Sequence, residues 1–229
     1  MFSAITPHYD RLNFLFSASL DRRWRARAAC ETLRGLDPCR RVLDVATGTG
    51  DLAAALAGAA SKGQPLSEGV RVLGVDFTRP MLREAVRKYG RAARLFWIEA
   101  DGLKLPLADG AVDAATIAFG LRNMADKAAA LGELARVVRP GGRVAVLEFS
   151  RPANPVLRGL YNLYSFTLMP LAGRLISGSN AYRYLAESIR EFWAPVELSE
   201  RMRQAGLDRV RAIRLMGGIV TLHIGTKGA

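Results

Sequence analysis

The sequence predicts an α/β domain built on a doubly wound, mostly parallel seven-stranded sheet that ends in an antiparallel C-terminal hairpin. Three observations predict it. Short apolar runs at residues 41–45, 70–76, 95–98, 112–119 and 143–149 alternate with stretches of helical period, the pattern of a parallel sheet with right-handed crossovers. The first two runs end in carboxylates, Asp44 and Asp76, and the first empties into a glycine-rich turn. The last thirty or so residues hold two β-rich runs around Gly217-Gly218, a hairpin signature.

Taken in order, residues 1–40 precede the first strand and are expected to form a helical cap. They carry an aromatic-polar opening, His8-Tyr9-Asp10-Arg11-Leu12-Asn13, then a helix with Asp21 as N-cap, running through Leu33 and stopped by Gly35. The stretch Asp44-Val45-Ala46-Thr47-Gly48-Thr49-Gly50-Asp51 reads as strand end, tight loop and helix start, since Leu52, Ala53, Ala54, Ala55 and Leu56 are good helix formers. Residues 61–69 are a loop by their breakers. Thr78 caps a helix with Met81, Leu82, Ala85 and Val86 on one face, and Gly90 ends it. After the fourth strand, a helix places Leu131, Leu134, Val137 and Val138 on one face and stops at Pro140-Gly141-Gly142. Near the end, Leu198, Met202 and Ala205 mark a helix closed by Gly206.

The glycine turn is the first candidate site. Gly48 and Gly50 permit positive φ and close approach to the backbone. The unpaired N–H groups of the following helix start suit a nucleotide-like ligand. Such a turn serves NAD, FAD, S-adenosylmethionine or no ligand at all. Asp76 narrows the choice to an adenosine, because a carboxylate ending the neighbouring strand accepts both ribose hydroxyls. Asp101, in the loop after the third strand, either accepts from the adenine amine or hydrogen-bonds its own Asp-Gly turn. Gly120-Leu121-Arg122-Asn123 follows the fourth strand, where open α/β sheets carry ligands. There a cation and an amide serve either a substrate contact or a plain surface pair.

Composition sets the frame. A chain of 229 residues, half of them hydrophobic, suffices for one domain with a full core. The two cysteines, Cys30 and Cys39, have no paired spacing or histidine cluster around them. They read as reduced thiols, with no disulfide and no metal expected. No residues show the order of a signal peptide or the unbroken apolar length of a spanning helix. A formal net charge of +12 favours an anionic partner, nucleic acid or an acidic membrane face, although the arginines are spread along the chain. Residues 151–195 break the alternation: Tyr161, Tyr164, Phe166, Leu168, Tyr182, Tyr184 and Phe192 crowd a segment interrupted by Pro155, Pro170, Gly173 and Gly178. It is expected to cover the site with an apolar inner face.

The residues resemble the ubiquinone/menaquinone biosynthesis C-methyltransferases. The likeness rests on the glycine-loop stretch through Ala53 and on Gly74-Val75-Asp76-Phe77, Ala118-Phe119-Gly120-Leu121-Arg122-Asn123, Arg139-Pro140-Gly141-Gly142 and Leu147-Glu148-Phe149-Ser150-Arg151-Pro152. It extends to Tyr9-Asp10-Arg11-Leu12-Asn13, Tyr182-Arg183-Tyr184-Leu185 and Gly218-Ile219-Val220-Thr221-Leu222-His223, nearly the whole chain. The resemblance implies a class I, Rossmann-like methyltransferase fold as one domain over residues 1–229. It implies methyl transfer from S-adenosylmethionine to a ring carbon of a polyprenylated hydroquinone.

It further implies cofactor positions at Asp44, Gly48, Thr49, Gly50, Asp76, Phe77, Asp101, Gly102 and Ala118, where the family often has serine in place of Ala118. Arg122, Asn123 and Tyr9 resemble the family residues at the catalytic step, with Arg122 stabilising a phenolate or ordering a water, because guanidinium stays protonated. His8 and His223 are the only imidazoles. Peripheral association with an anionic membrane from the cytoplasmic side follows from charge and a lipid-soluble acceptor, and a homodimer is allowed. No nucleic acid partner is expected. Another small hydroxylated aromatic, or RNA, is the alternative acceptor. An amino-methylating nucleic-acid enzyme would carry Asn/Asp-Pro-Pro-aromatic where this chain has Ala118-Phe119-Gly120-Leu121, and a short-chain dehydrogenase would need Tyr-x-x-x-Lys.

Overall fold

The first helix to pack on the sheet is α1 (Leu20–Leu33), whose buried face carries Trp24, Ala28 and Ala29. The structure, a computed structural model, describes residues 20–36, 41–59, 70–90, 94–152, 154–156, 158–159 and 187–228. Tyr9 and His8, Cys39, and most of the expected apolar cover, residues 160–186, lie outside the described residues.

The sheet has seven strands in the order β3-β2-β1-β4-β5-β7-β6. β1 (Arg41–Val45), β2 (Arg71–Asp76), β3 (Leu95–Glu99), β4 (Val112–Ala118) and β5 (Val138–Phe149) pair in parallel. β7 (Val220–Lys227) runs antiparallel between β5 and β6 (Leu207–Leu215). The order reverses at β1, so β1 and β4 part at their C-terminal ends and open a crevice there. β4 is buried on both faces, as its Ala, Thr and Ile content requires.

Helices cover both faces. α1 and α2 (Asp51–Ala59) pack on one, around Trp24, Leu52, Leu56 and Leu147. α4 (Lys127–Val137) and α5 (Pro195–Gln204) pack on the other, around Leu131, Leu134, Leu198 and Met202. Each fully buried leucine of these cores contributes about 2 kcal/mol by leaving water. Glu31 ties the first helix to the far edge of the sheet. Its buried carboxylate meets Arg27 and Arg34 at 2.9 Å and Arg211 of β6 at 2.8 Å.

Four local expectations are corrected or refined. Asp21 sits inside the first turn of α1, paired with Arg25, and does not precede the helix. Thr78 does hold the N-cap position of α3 (Arg79–Tyr89), though without a side-chain cap bond, and its backbone N–H donates to Asp76. Val86 is 41% exposed while Met81, Leu82 and Ala85 are buried, so the buried stripe of α3 is narrower than its apolar stripe. Val138 belongs to β5, pairing with Val112. The Pro140-Gly141-Gly142 segment forms an irregularity within that strand, because Gly141 takes φ +74° and a Cβ at Gly142 would stand 2.5 Å from the Asp113 carbonyl.

Candidate active site

The C-terminal ends of β1, β2 and β4 enclose a cavity of about 340 Å³, within the range of small-ligand sites. Gly48, Asp76, Phe77, Asp101, Gly102, Ala118 and Asn123 line it, seven of the residues singled out from the sequence. Asp44, Thr49, Gly50 and Arg122 do not line it; they support it from behind.

The cofactor end is organised by Asp76. Its Oδ2 accepts the Gly48 N–H at 2.8 Å and its Oδ1 the Thr78 N–H at 2.7 Å. Two backbone amides thus fix the carboxylate while each oxygen keeps a further lone pair for a ribose hydroxyl. Gly48 has φ +58°, and a Cβ there would meet nothing within 4 Å, so the glycine leaves its place open to a ligand. Asp101 fulfils its turn role, since Oδ1 accepts the Leu103 N–H at 2.9 Å; a second oxygen remains for an exocyclic amine. Phe77 stands at this end with 76% of its surface exposed.

Behind the loop, Asp44 is fully buried in β1, accepting from the hydroxyls of Thr47 at 2.6 Å and Thr116 at 2.8 Å. Burial pushes its carboxyl up to about 6, against the two hydroxyls and the nearby Arg25, which pull it down. Gly50 has a packing duty: a Cβ there would stand 2.6 Å from the Trp97 ring. Asp51 opens α2 and gathers Lys88 at 2.5 Å and Tyr89 at 2.7 Å from α3, and Lys88 also reaches the Thr49 hydroxyl at 3.2 Å. Desolvation raises the Asp51 carboxyl, but Lys88, Arg25 and Tyr89 together hold it below its ordinary range.

At the other end the walls are Ala46, Ala118, Phe119 and Asn123. Ala46 and Phe119 adopt φ +50° and +57°, conformations that cost non-glycine residues on the order of 1 to 3 kcal/mol. Arg122 is not a surface residue. It lies on a short 3₁₀ turn, Leu121–Asn123, with its side chain 8% exposed, and pairs with Glu148 at 2.8 Å. Phe119, Phe149 and Trp24 form an aromatic group, with 4.7 Å between the first two centroids and Arg25 over the Phe119 ring. His223 is buried on β7, its Nε2 2.9 Å from the Pro195 carbonyl and its pKa lowered by burial. It does not line the cavity. No cofactor or catalytic motif in the sequence singles out Glu148, although a carboxylate between Leu147 and Phe149 in a buried strand calls for a cation.

A doubly wound sheet with an antiparallel β7 inserted between β5 and β6, a glycine loop after β1 and a carboxylate ending β2 defines the class I S-adenosylmethionine-dependent methyltransferases. Comparison with known proteins carries this further. The model of the ubiE/COQ5 methyltransferase family matches residues 1–227. The chain is 47% identical to the ubiquinone/menaquinone biosynthesis C-methyltransferase of Syntrophotalea carbinolica over 228 residues, covering 99% of this chain and 92% of that one. It is also 47% identical to the demethylmenaquinone methyltransferase of Thermus thermophilus, covering 99% of this chain and all of that one. A SAM-dependent methyltransferase structure from Thermotoga maritima shares the fold, with a TM-score of 0.63 at 20% identity over 99% of this chain and 97% of that one. The chain belongs to the ubiE/COQ5 methyltransferase family, and its methyl donor is S-adenosylmethionine.

The site fits that donor. The carboxylates of Asp76 and Asp101 both line the cavity with acceptor capacity left for hydroxyl or amine donors, and the open place at Gly48 leaves room for a ligand beside them.

Proposed function

We propose that this enzyme methylates a ring carbon of a polyprenylated hydroquinone, demethylmenaquinol first and a demethylated ubiquinol precursor second. The observation that carries the reading is the full-length match to the ubiE/COQ5 family, with relatives at 47% identity named for quinone biosynthesis. Bound S-adenosylmethionine supplies an activated methyl on its sulfonium. The protein's part is to orient the acceptor and exclude water.

A ring carbon becomes nucleophilic when an adjacent hydroxyl loses its proton. The methylated carbon then releases its own hydrogen as a proton. Asn123 faces the cavity and orients the ring oxygens. Arg122, behind the wall, stabilises the phenolate by its charge. Tyr9 is assigned to the same step by its place in the family motif. A guanidinium does not serve as the base, so a positioned water takes the final proton.

The acceptor dissolves in lipid, and a net charge of +12 supports work at the cytoplasmic, anionic face of a membrane. Among the described residues no helix is long and apolar enough to cross one. A homodimer is supported by Phe96 and Ile98, exposed on the edge strand β3. Transfer of label from S-adenosylmethionine tests the main reading, with reduced demethylmenaquinol and a demethylated benzoquinol offered separately in detergent. Labelled quinol is expected. Tight donor binding with no label in either quinol would move the acceptor to another hydroxylated aromatic.

A further inference from the structure

One short turn concentrates several unfavourable features. Phe119 takes a left-handed φ although Gly120, which tolerates it freely, sits next door at φ −109°. The Arg122 Nε donor is closed off from water with no acceptor. A charged pair is buried beside it, with 8% of the Arg122 and 2% of the Glu148 side chain exposed. Such features persist only where surrounding structure over-determines them, and they collect at working sites.

Glu148 joins them. Its Oε2 accepts from Arg122 Nη1 at 2.8 Å and from the Phe149 N–H at 3.2 Å, and its Oε1 accepts the Arg122 backbone N–H at 3.2 Å. The same Nη1 donates to the Phe119 carbonyl at 2.6 Å, which also receives the Asn123 amide at 3.3 Å. One strand, β5, therefore grips both the backbone and the side chain of the turn. The turn in its place presents Phe119 and Asn123 to the cavity.

We propose that Glu148 is a positioning residue for methyl transfer: through Arg122 it locks the 119–123 turn that walls the acceptor end, and its charge limits how much of the guanidinium's field reaches the acceptor. The second half rests on reading this end as the place where a phenolate forms. A carboxylate in contact with a buried guanidinium cancels much of its field, and removing either partner releases the other. Arg25 of α1 lies across the Phe119 ring, and Asp44 of β1 lies behind the glycine loop. Among the described residues neither is ion-paired with Arg122 or Glu148.

The test uses the full chain, S-adenosylmethionine and reduced demethylmenaquinol in detergent, with E148Q, R122Q, the double variant and E148D. Each of the first two should lower kcat about a hundredfold while leaving donor affinity at its original value. They should move the acid limb of the kcat–pH profile in opposite directions, by about one pH unit. E148Q moves it to lower pH because an uncompensated cation favours the phenolate; R122Q moves it up. The double variant should return the limb to its original place, and E148D should keep it there with a lower kcat. Hydrogen exchange over residues 119–124 should quicken about tenfold in E148Q and R122Q, a readout that needs no acceptor. Unchanged exchange, an unmoved limb, or loss of donor binding in E148Q would each overturn the proposal. Failure of the unsubstituted enzyme to label quinol would sink the acceptor assignment instead, leaving the exchange result to judge the clamp.

Discussion

At the cofactor end of the cavity Asp76 is held by two backbone amides, Gly48 and Thr78, within loops contiguous with their strands. At the acceptor end the wall is held by side chains, Arg122 and Glu148, that lie 26 positions apart and meet only through the β4–β5 pairing. Backbone-held groups use amides that every residue but proline supplies, and need only the β1–β2 pairing that brings Gly48 to Asp76 across 28 positions. Side-chain-held groups need a buried ion pair and a strained turn, and they fail when one partner is removed. The donor site is thus separable from the acceptor site, and substitutions should sort the two.

The largest effect is expected at Asp76. Asp76→Ala removes the carboxylate proposed to accept the ribose hydroxyls and orphans two amides. Charge-assisted bonds are each worth about 1.5 to 3 kcal/mol, so donor affinity should fall more than a hundredfold by calorimetry. Retained affinity would place the ribose elsewhere.

Asp44 comes next. Its folded carboxyl titrates near 6 instead of 3.8, so the native state binds the proton more tightly than the unfolded one. The stability this contributes is fully present below about pH 4 and is lost as pH rises through 6, a change of about 3 kcal/mol. Asp44→Asn should remove that slope in urea unfolding measured from pH 4 to 7. His223 acts in the opposite sense, its depressed pKa costing stability as pH falls below about 6.5, so the difference between variant and parent isolates Asp44.

Gly120→Ala sharpens the comparison from the wall itself. The new Cβ would stand 2.6 Å from the Ala46 Cβ, costing about 1 to 3 kcal/mol by overpacking, read as a lowered Tm. Cys30→Ser, at an exposed free thiol on α1, should change stability by no more than about 0.5 kcal/mol.

The same division explains what could be read in advance. The glycine loop, Asp76, Asp101 and the C-terminal hairpin announce themselves because each is marked by residue type at a strand end or turn, even though Asp76 meets Gly48 across 28 positions. By residue type Arg122 reads as a surface cation, since nothing adjacent to it in sequence reveals the carboxylate it is buried against; Glu148 arrives with β5. Val138, an apolar residue one step past Val137, continues the helical stripe in the sequence, yet its β-branch suits the ladder it joins. Val86 continues the apolar stripe of α3 at a position the sheet does not reach.

The most direct test of separability is donor binding and methyl transfer measured side by side on Arg122→Ala. The predicted result is donor affinity within about twofold of the parent with quinol methylation reduced about a hundredfold or more. Donor affinity lost in proportion to transfer, as expected for Asp76→Ala, would contradict the account and make the cavity a single cooperative unit.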